Sequence, residues 1–151
     1  MATRSTRILR IFTGYYRIKP VVMLLHGDLT DEILDAFFGV YNELGYGFLE
    51  KVYQNALYFE LKERRLEVVA QQRWAVRYKG REVGEYYSDL TVNGLVILEL
   101  KACETILAEH QQQLQNYLKA STIEVGLLLN FGKRPEFIRK IFTNQNKSLI
   151  R

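Results

Sequence analysis

The sequence of 151 residues has only one cysteine, two histidines and two prolines. The single cysteine, Cys103, excludes an intramolecular disulfide framework and a cysteine-based zinc cluster. Two histidines argue against a histidine-rich metal site. The longest apolar run covers residues 21–25, whereas a membrane-spanning helix needs roughly 20 residues. From these absences we expect a soluble, cytoplasmic protein of one domain, with no membrane partner.

Positive charge is concentrated at the N-terminus. The net charge is +4, but residues 1–19 carry five cations and no acidic residue, which leaves −1 for residues 20–151. A basic arm of this kind binds phosphate groups, serves as a targeting segment, or has no function of its own, and the sequence leaves these alternatives open. We divide the chain into a basic extension at residues 1–27, expected to be poorly ordered, a domain at 28–143 and a C-terminal tail at 144–151.

The periodicity of apolar residues predicts an α/β fold. Helical spacing over residues 30–44, 48–65 and 106–120 predicts three helices. Alternating or continuous apolar runs predict five strands, at residues 68–78, 82–92, 95–102, 124–130 and 137–142. The order α-α-β-β-β-α-β-β places one helix between two buried strands. It therefore predicts a mixed β-sheet flanked by helices, in which a parallel pair is attached to an antiparallel meander.

The same patterns predict which residues cap the helices and face the core. Asp28 or Thr30 is expected to cap the first helix. The second helix should turn inward an apolar stripe that begins at Leu49 and Val52. The strand at 68–78 should be half-buried, because its apolar residues alternate with polar ones.

Two charged residues interrupt the most apolar strand of the chain. Glu99 and Lys101 lie within the run Val-Ile-Leu-Glu-Leu-Lys-Ala and, with a period of two, share one face. The tight turn Asn93-Gly94 folds the chain back, so that Asp89 comes to lie beside Glu99. Two adjacent carboxylates form a hard-cation site that suits Mg²⁺. The alternative is a plain ion pair of Lys101 with one of these carboxylates, without a metal.

These residues resemble the motifs of the PD-(D/E)XK nuclease superfamily. Asp89 stands at the motif aspartate and Glu99-Leu100-Lys101 at (D/E)XK, although Ser88 replaces the proline of the name. The helix after that strand carries Gln113 and Tyr117, which resemble the QxxxY motif of the exonuclease branch. The segment Gly-Phe-Leu-Glu-Lys-Val-Tyr at residues 47–53 is similar to the signature of the small GxxExxY proteins, and the resemblance covers about residues 29–142.

The resemblance implies a restriction-endonuclease-like fold and Mg²⁺- or Mn²⁺-dependent hydrolysis of nucleic acid, with DNA as the expected substrate. Three carboxylates would hold the metal, namely Glu50, Asp89 and Glu99. Lys101 would orient or deprotonate the attacking water. Small nucleases of this fold often act as dimers, so a homodimer is a further expectation.

Each of these assignments has a structural alternative. Glu50 is also explained as a solvated side chain, and Gln113 with Tyr117 as a hydrogen-bonded pair that joins helix to sheet. Tyr53 is expected to pack in the core. Two rival functions remain open, namely a nucleic-acid-binding or regulatory module of the same fold that no longer cuts, and a structural partner protein with an internal ion-pair network.

Overall fold

The computed structural model describes residues 24–150 and contains the predicted order of elements. The cations of the basic extension predicted for residues 1–27 lie outside the described residues. The helices and strands are α1 (Gly27–Leu44), α2 (Glu50–Glu63), β1 (Val68–Tyr78), β2 (Arg81–Val92), β3 (Val96–Lys101), α3 (Ala108–Ala120), β4 (Val125–Phe131) and β5 (Pro135–Ile141), followed by a 3-10 turn at Asn144–Asn146. No helix within this part of the chain is long and apolar enough to cross a bilayer.

Five strands form one mixed sheet in the order β1-β2-β3-β4-β5. Strands β3 and β4 are parallel, and every other neighbouring pair is antiparallel. The helix α3 connects the parallel pair, because the chain must return to the same end of the sheet before it can pair in parallel. The predicted fold class is confirmed, and β3 is the central strand.

The sheet buries both of its faces. One face packs against α1 and α2, where Phe37 and Leu57 meet Leu98 and Leu100 of β3. The other face packs against α3, where Leu114 and Leu118 meet Ile97 of β3. Burial of each such side chain contributes roughly 1.5–3 kcal/mol, so this packing dominates the stability of the sheet. Because side chains alternate along a strand, the residues that follow Ile97 at intervals of two share the α3 face.

Two predictions about helix N-termini are wrong, namely the cap of the first helix and the start of the inward stripe of the second. Helix α1 begins at Gly27, three residues earlier than expected, and its cap is His26 with φ 54° and no side-chain cap bond. Thr30 instead donates its hydroxyl to the Gly27 carbonyl inside the first turn, at 3.1 Å. Helix α2 begins at Glu50, so Leu49 ends the preceding loop in an extended conformation and is 80% exposed. The inward stripe of α2 therefore starts only at residue 53, and Val52 is exposed.

Strands β1 and β2 change faces half-way along their length. Strand β1 is half-buried as predicted, but its alternating apolar residues pack on opposite faces of the sheet. Val68 and its partner Val92 pack in the core under α1 and α2. Trp74 packs on the α3 face, and its partner Tyr86 stacks on a tyrosine of α3. Residues an even number apart on a regular strand point the same way, so each strand must be distorted between these two pairs.

The distortion lies at Gln71 of β1 and Asp89 of β2. Cα pairing runs from Val68 to Ala70 and resumes at Gln72, leaving Gln71 and Asp89 as the unpaired positions between. Gln71 has φ 52°, a left-handed conformation that non-glycine residues rarely adopt. On β2, the hydroxyls of Ser88 and Thr91 lie 3.0 Å apart, although regular alternation would put residues three apart on opposite faces.

Part of the predicted C-terminal tail packs on the domain. The side chain of Lys147 is 1% exposed, and its Nζ donates to the carbonyls of Ser121 and Ile123 at 2.8 and 2.6 Å. Burial lowers the pKa of Lys147 to about 8, against a smaller opposing effect of the negative charge of Glu124. These contacts fasten the chain after β5 to the segment between α3 and β4.

Candidate active site

The candidate site begins where the hydrogen-bond ladder between β2 and β3 ends. The last pair of this ladder is Leu90 opposite Leu98, and the next position in the same register would set Asp89 opposite Glu99. At this position, carboxyl side chains take the place of backbone carbonyls as hydrogen-bond acceptors. The Leu100 amide donates to Asp89 Oδ2 at 2.8 Å, and the Asp89 amide lies 3.4 Å from Glu99 Oε1. Each carboxyl thus occupies the place of a carbonyl of the neighbouring strand, which brings the two acidic groups together.

Glu99 is a buried carboxyl that carries a strong electrostatic penalty when ionised. It is 7% exposed and faces the α3 side of the sheet. Burial raises its pKa to about 9, and the negative charge of Asp89 adds to the rise. The positive charge of Lys101 opposes this shift only in part. A second positive charge between the two carboxyls would therefore stabilise the ionised pair.

Lys101 ends β3 on the same face as Glu99 and is half-buried. Its charge acts on Glu99 and also on Cys103, two residues further along the chain. Within residues 24–150, Lys101 forms no ion pair of 4 Å or less with either carboxylate; the ion pairs there involve Arg64 and Arg73. The plain ion-pair interpretation of these residues is therefore not what the structure contains.

Helix α3 presents the QxxxY pair to the carboxyls. Gln113 Nε2 donates to the Tyr117 hydroxyl at 2.6 Å. Burial raises the pKa of that hydroxyl, and the negative charges of Glu99 and Asp89 raise it further, so the hydroxyl lies within reach of both charges. Gln113 bonds along its own helix and not to the sheet, which does not fit the helix-to-sheet alternative for this residue.

Tyr86 provides the link between α3 and the sheet, and the sequence analysis missed it. Its ring stacks on that of Tyr117 with centroids 3.8 Å apart and planes 3° from parallel. Its hydroxyl donates to the Tyr117 carbonyl at 2.6 Å. The only signal in the sequence is an aromatic residue three positions before Asp89, which is too common a feature to single out.

Glu50 lies apart from the other two carboxylates. It begins α2 and is exposed, and its negative charge acts on Cys103 beyond the end of β3. Among the residues that the structure describes, no group of three or more histidine, cysteine, aspartate and glutamate side chains is arranged to hold a metal ion. The structure thus brings Asp89 and Glu99 together, with Glu50 on the rim of the site.

Tyr53 fixes the loop that leads to Glu50. Its ring is fully buried and stacks on Phe131 with centroids 4.3 Å apart, as expected for a core residue. Its hydroxyl donates to the Gly45 carbonyl at 2.7 Å and accepts from the Phe48 amide at 3.2 Å. Gly47, between these two contacts, has φ 108°, which favours glycine. The glycine and the tyrosine of this motif therefore shape one loop.

Comparison with known proteins identifies the family of the chain. A sequence profile of the PD-(D/E)XK nuclease superfamily matches residues 27–141, from the first residue of α1 to the last of β5. The chain belongs to this superfamily. Curated proteins give no match. Solved structures do, among them one titled "Crystal structure of SSO0001", with 16% identity and a TM-score of 0.48. That alignment covers 78% of this chain and 60% of the other, so the chain spans less than two thirds of that protein.

The donor set of this PD-(D/E)XK site suits a hard divalent cation. Carboxylate oxygens are the ligands that Mg²⁺ takes from proteins, and one or two carboxylates are sufficient when waters and substrate phosphates complete its shell. Asp89 and Glu99 provide two such groups side by side. Nucleases of this superfamily generally use divalent metal ions, and a bound cation would favour the ionised form of Glu99, which burial and Asp89 disfavour in its absence.

Proposed function

We propose that this PD-(D/E)XK domain is a Mg²⁺- or Mn²⁺-dependent nuclease that hydrolyses phosphodiester bonds in DNA. The observation that carries the proposal is the pairing of Asp89 with Glu99 at the end of the β2–β3 ladder, with Lys101 on the same face of β3. Membership of the superfamily supports a nucleic-acid substrate. The finer assignments to the GxxExxY proteins, to a homodimer and to a cytoplasmic location stay predictions.

Each side chain has a task that its position supports. Asp89 and Glu99 would hold the cation directly, and Glu50 would complete its shell through water from the rim of the site. A bound divalent ion lowers the pKa of water and polarises the scissile phosphate. Lys101 follows Glu99 by two residues on the same face of β3 and would orient or deprotonate the attacking water.

The QxxxY pair would act on the substrate side of the site. Gln113 is exposed and holds the Tyr117 hydroxyl within reach of the charges of Asp89 and Glu99. From there the two side chains would position Lys101 or a backbone phosphate. Neither side chain needs to form or break a bond in this scheme.

A second candidate is a nucleic-acid-binding module of the same fold that no longer cuts. One observation favours it, namely the position of the exposed Glu50 outside any group of three metal-ligating side chains within residues 24–150. The two candidates differ in catalysis and not in fold. Only a cleavage assay separates them.

The test compares cleavage of a supercoiled plasmid and of a labelled single strand in Mg²⁺, in Mn²⁺ and in a chelator. We expect Lys101→Ala to reduce cleavage at least about 100-fold, the lower end for a lost proton-transfer group, while Mn²⁺ binding by calorimetry stays as in the wild type. Asp89→Asn and Glu99→Gln should weaken Mn²⁺ binding. Lys119→Ala, which removes an exposed lysine of α3, is the matched control. Equal cleavage by wild type and Lys101→Ala would count against the nuclease.

A further inference from the structure

Gln71 adopts a conformation that its place in a strand does not explain. It lies inside β1 with φ 52°, where an L-amino acid other than glycine is strained. Other non-glycine residues with positive φ lie at turns or helix ends, such as Lys79 in the β1–β2 turn. Residues held in sparsely populated backbone regions persist when the surrounding contacts require them, and they often lie at functional sites.

The contacts of the Gln71 side chain lead to Asp89. Its Nε2 donates to Gln54 Oε1 of α2 at 3.1 Å and lies 3.5 Å from Asp89 Oδ1. The other oxygen of Asp89, Oδ2, accepts from the Leu100 amide. Both oxygens of Asp89 therefore have a nitrogen donor beside them, one from the backbone of β3 and one from Gln71.

Gln54 connects this arrangement to the helix that carries Glu50. It is a polar residue with only 6% exposure, and it lies one helical turn after Glu50 on the same side of α2. A buried glutamine amide needs hydrogen-bond partners, and Gln71 supplies one. The chain of contacts thus runs from α2 through β1 to the carboxyl of Asp89 on β2.

We propose that Gln71, held by Gln54, is a positioning residue that fixes the Asp89 carboxyl toward the divalent cation. The left-handed backbone of Gln71 breaks the β1–β2 pairing opposite Asp89 and aims its amide at Oδ1. The inference rests on the proposed function, because it assigns Asp89 to the cation. It adds two residues that belong to none of the motifs described above.

The test is Gln71→Gly in the full chain. Glycine adopts this backbone conformation without strain, and it lacks the side-chain amide that contacts Asp89. We expect the melting temperature in chelator to stay equal or rise, while calorimetry with Mn²⁺ shows about tenfold weaker binding, as is typical when a group that orients a metal ligand is lost. If Gln71 only stabilised the fold, Gln71→Gly would lower both the melting temperature and the affinity for Mn²⁺. Gln54→Met, which leaves the backbone of β1 unchanged, should weaken Mn²⁺ binding in the same sense.

Lys79→Gly is the matched control, since it relieves a similar φ of 50° in an exposed turn. It should leave Mn²⁺ binding unchanged and shift the melting temperature in the same sense as Gln71→Gly. The positioning role alone is overturned if Gln71→Gly binds Mn²⁺ as tightly as the wild type does. A large fall in the melting temperature of Gln71→Gly overturns it as well. A wild type that binds no Mn²⁺ overturns both this inference and the proposed metal dependence.

Discussion

Replacement of Glu99 by glutamine should stabilise the metal-free protein while it weakens metal binding. Burial and the neighbouring Asp89 raise the pKa of Glu99 to about 9 in the folded state, against an ordinary value of 4.5. Between these two values the folded protein holds a proton that the unfolded chain has released. The free energy of unfolding of the wild type therefore falls as the pH rises from about 4.5 towards 9.

The size of the effect follows from the same two values. The ordinary pKa of 4.5 lies about 2.5 units below pH 7, and the raised pKa of about 9 lies above it. Each unit corresponds to about 1.4 kcal/mol, so keeping Glu99 protonated in the folded state at pH 7 costs roughly 3 kcal/mol. Glutamine carries no titrating proton and keeps an oxygen that can accept from the Asp89 amide. Glu99→Gln should therefore exceed the wild type in stability by about 3 kcal/mol at pH 7 and by little near pH 4.5.

Urea unfolding in a chelator between pH 4.5 and 8 measures this difference. Glu63→Gln makes the same substitution at an exposed residue of α2 and should differ from the wild type by less than about 0.5 kcal/mol. Calorimetry with Mn²⁺ on the same samples should show binding by Glu63→Gln and little by Glu99→Gln. A Glu99→Gln protein that is no more stable than the wild type at pH 7 would refute the electrostatic reasoning.

Two further predictions concern the scaffold. For Lys147, burial lowers the pKa to about 8 against 10.5 in the unfolded chain, so the folded state binds fewer protons between these values. The stability of the wild type should therefore rise from pH 8 to 10.5, and Lys147→Met should lack this rise in urea unfolding. Gly132→Ala would place its Cβ 2.4 Å from the backbone oxygen of Cys103, so we expect a loss of about 1–3 kcal/mol in thermal unfolding. Gly39→Ala, in the interior of α1 with no atom within 4 Å of the added Cβ, should instead gain about 0.5–1 kcal/mol; equal effects of the two alanines would contradict the steric argument.

Periodicity in the sequence was sufficient to predict the order and type of the helices and strands, because most of their stability comes from the burial of apolar faces. The largely apolar segment around Leu98 was predicted to be a strand buried on both faces, and the structure places it in the centre of the sheet. The N-termini of the helices were harder to predict. His26 and Leu49 cap α1 and α2 without a side-chain hydrogen bond, so no capping residue marks either start in the sequence.

The pairing of Asp89 with Glu99 depends on one residue of a turn. Val92 pairs with Val96, so the loop contains Asn93, Gly94 and Leu95. A two-residue turn would move the register by one position and set Asp89 opposite a leucine, because side chains alternate with a period of two. The sequence indicated that the two acidic residues were close. Only the paired strands show that they lie directly opposite each other.

The change of face along β1 and β2 could not be predicted from either strand alone. The sequence from Val68 to Trp74 alternates as a regular strand does, and nothing in it marks Gln71 as left-handed. The distortion is a property of the pair, since it requires an unpaired position on both strands at once. For the same reason, Gln54 was assigned to no role, although it is buried among residues of the α2 face.

The distortion of the sheet and the candidate site have one physical origin. A regular antiparallel ladder would continue with the backbone of Asp89 opposite that of Glu99 and the backbone of Ser88 opposite that of Leu100. In this protein the ladder ends one residue earlier, and carboxyl oxygens take over the backbone donors. The carboxyls are thereby oriented by the fold itself, before any cation or substrate binds. Such preorganisation requires that the sheet lose regular pairing at this point, which is why the strained residue of β1 lies directly across from Asp89.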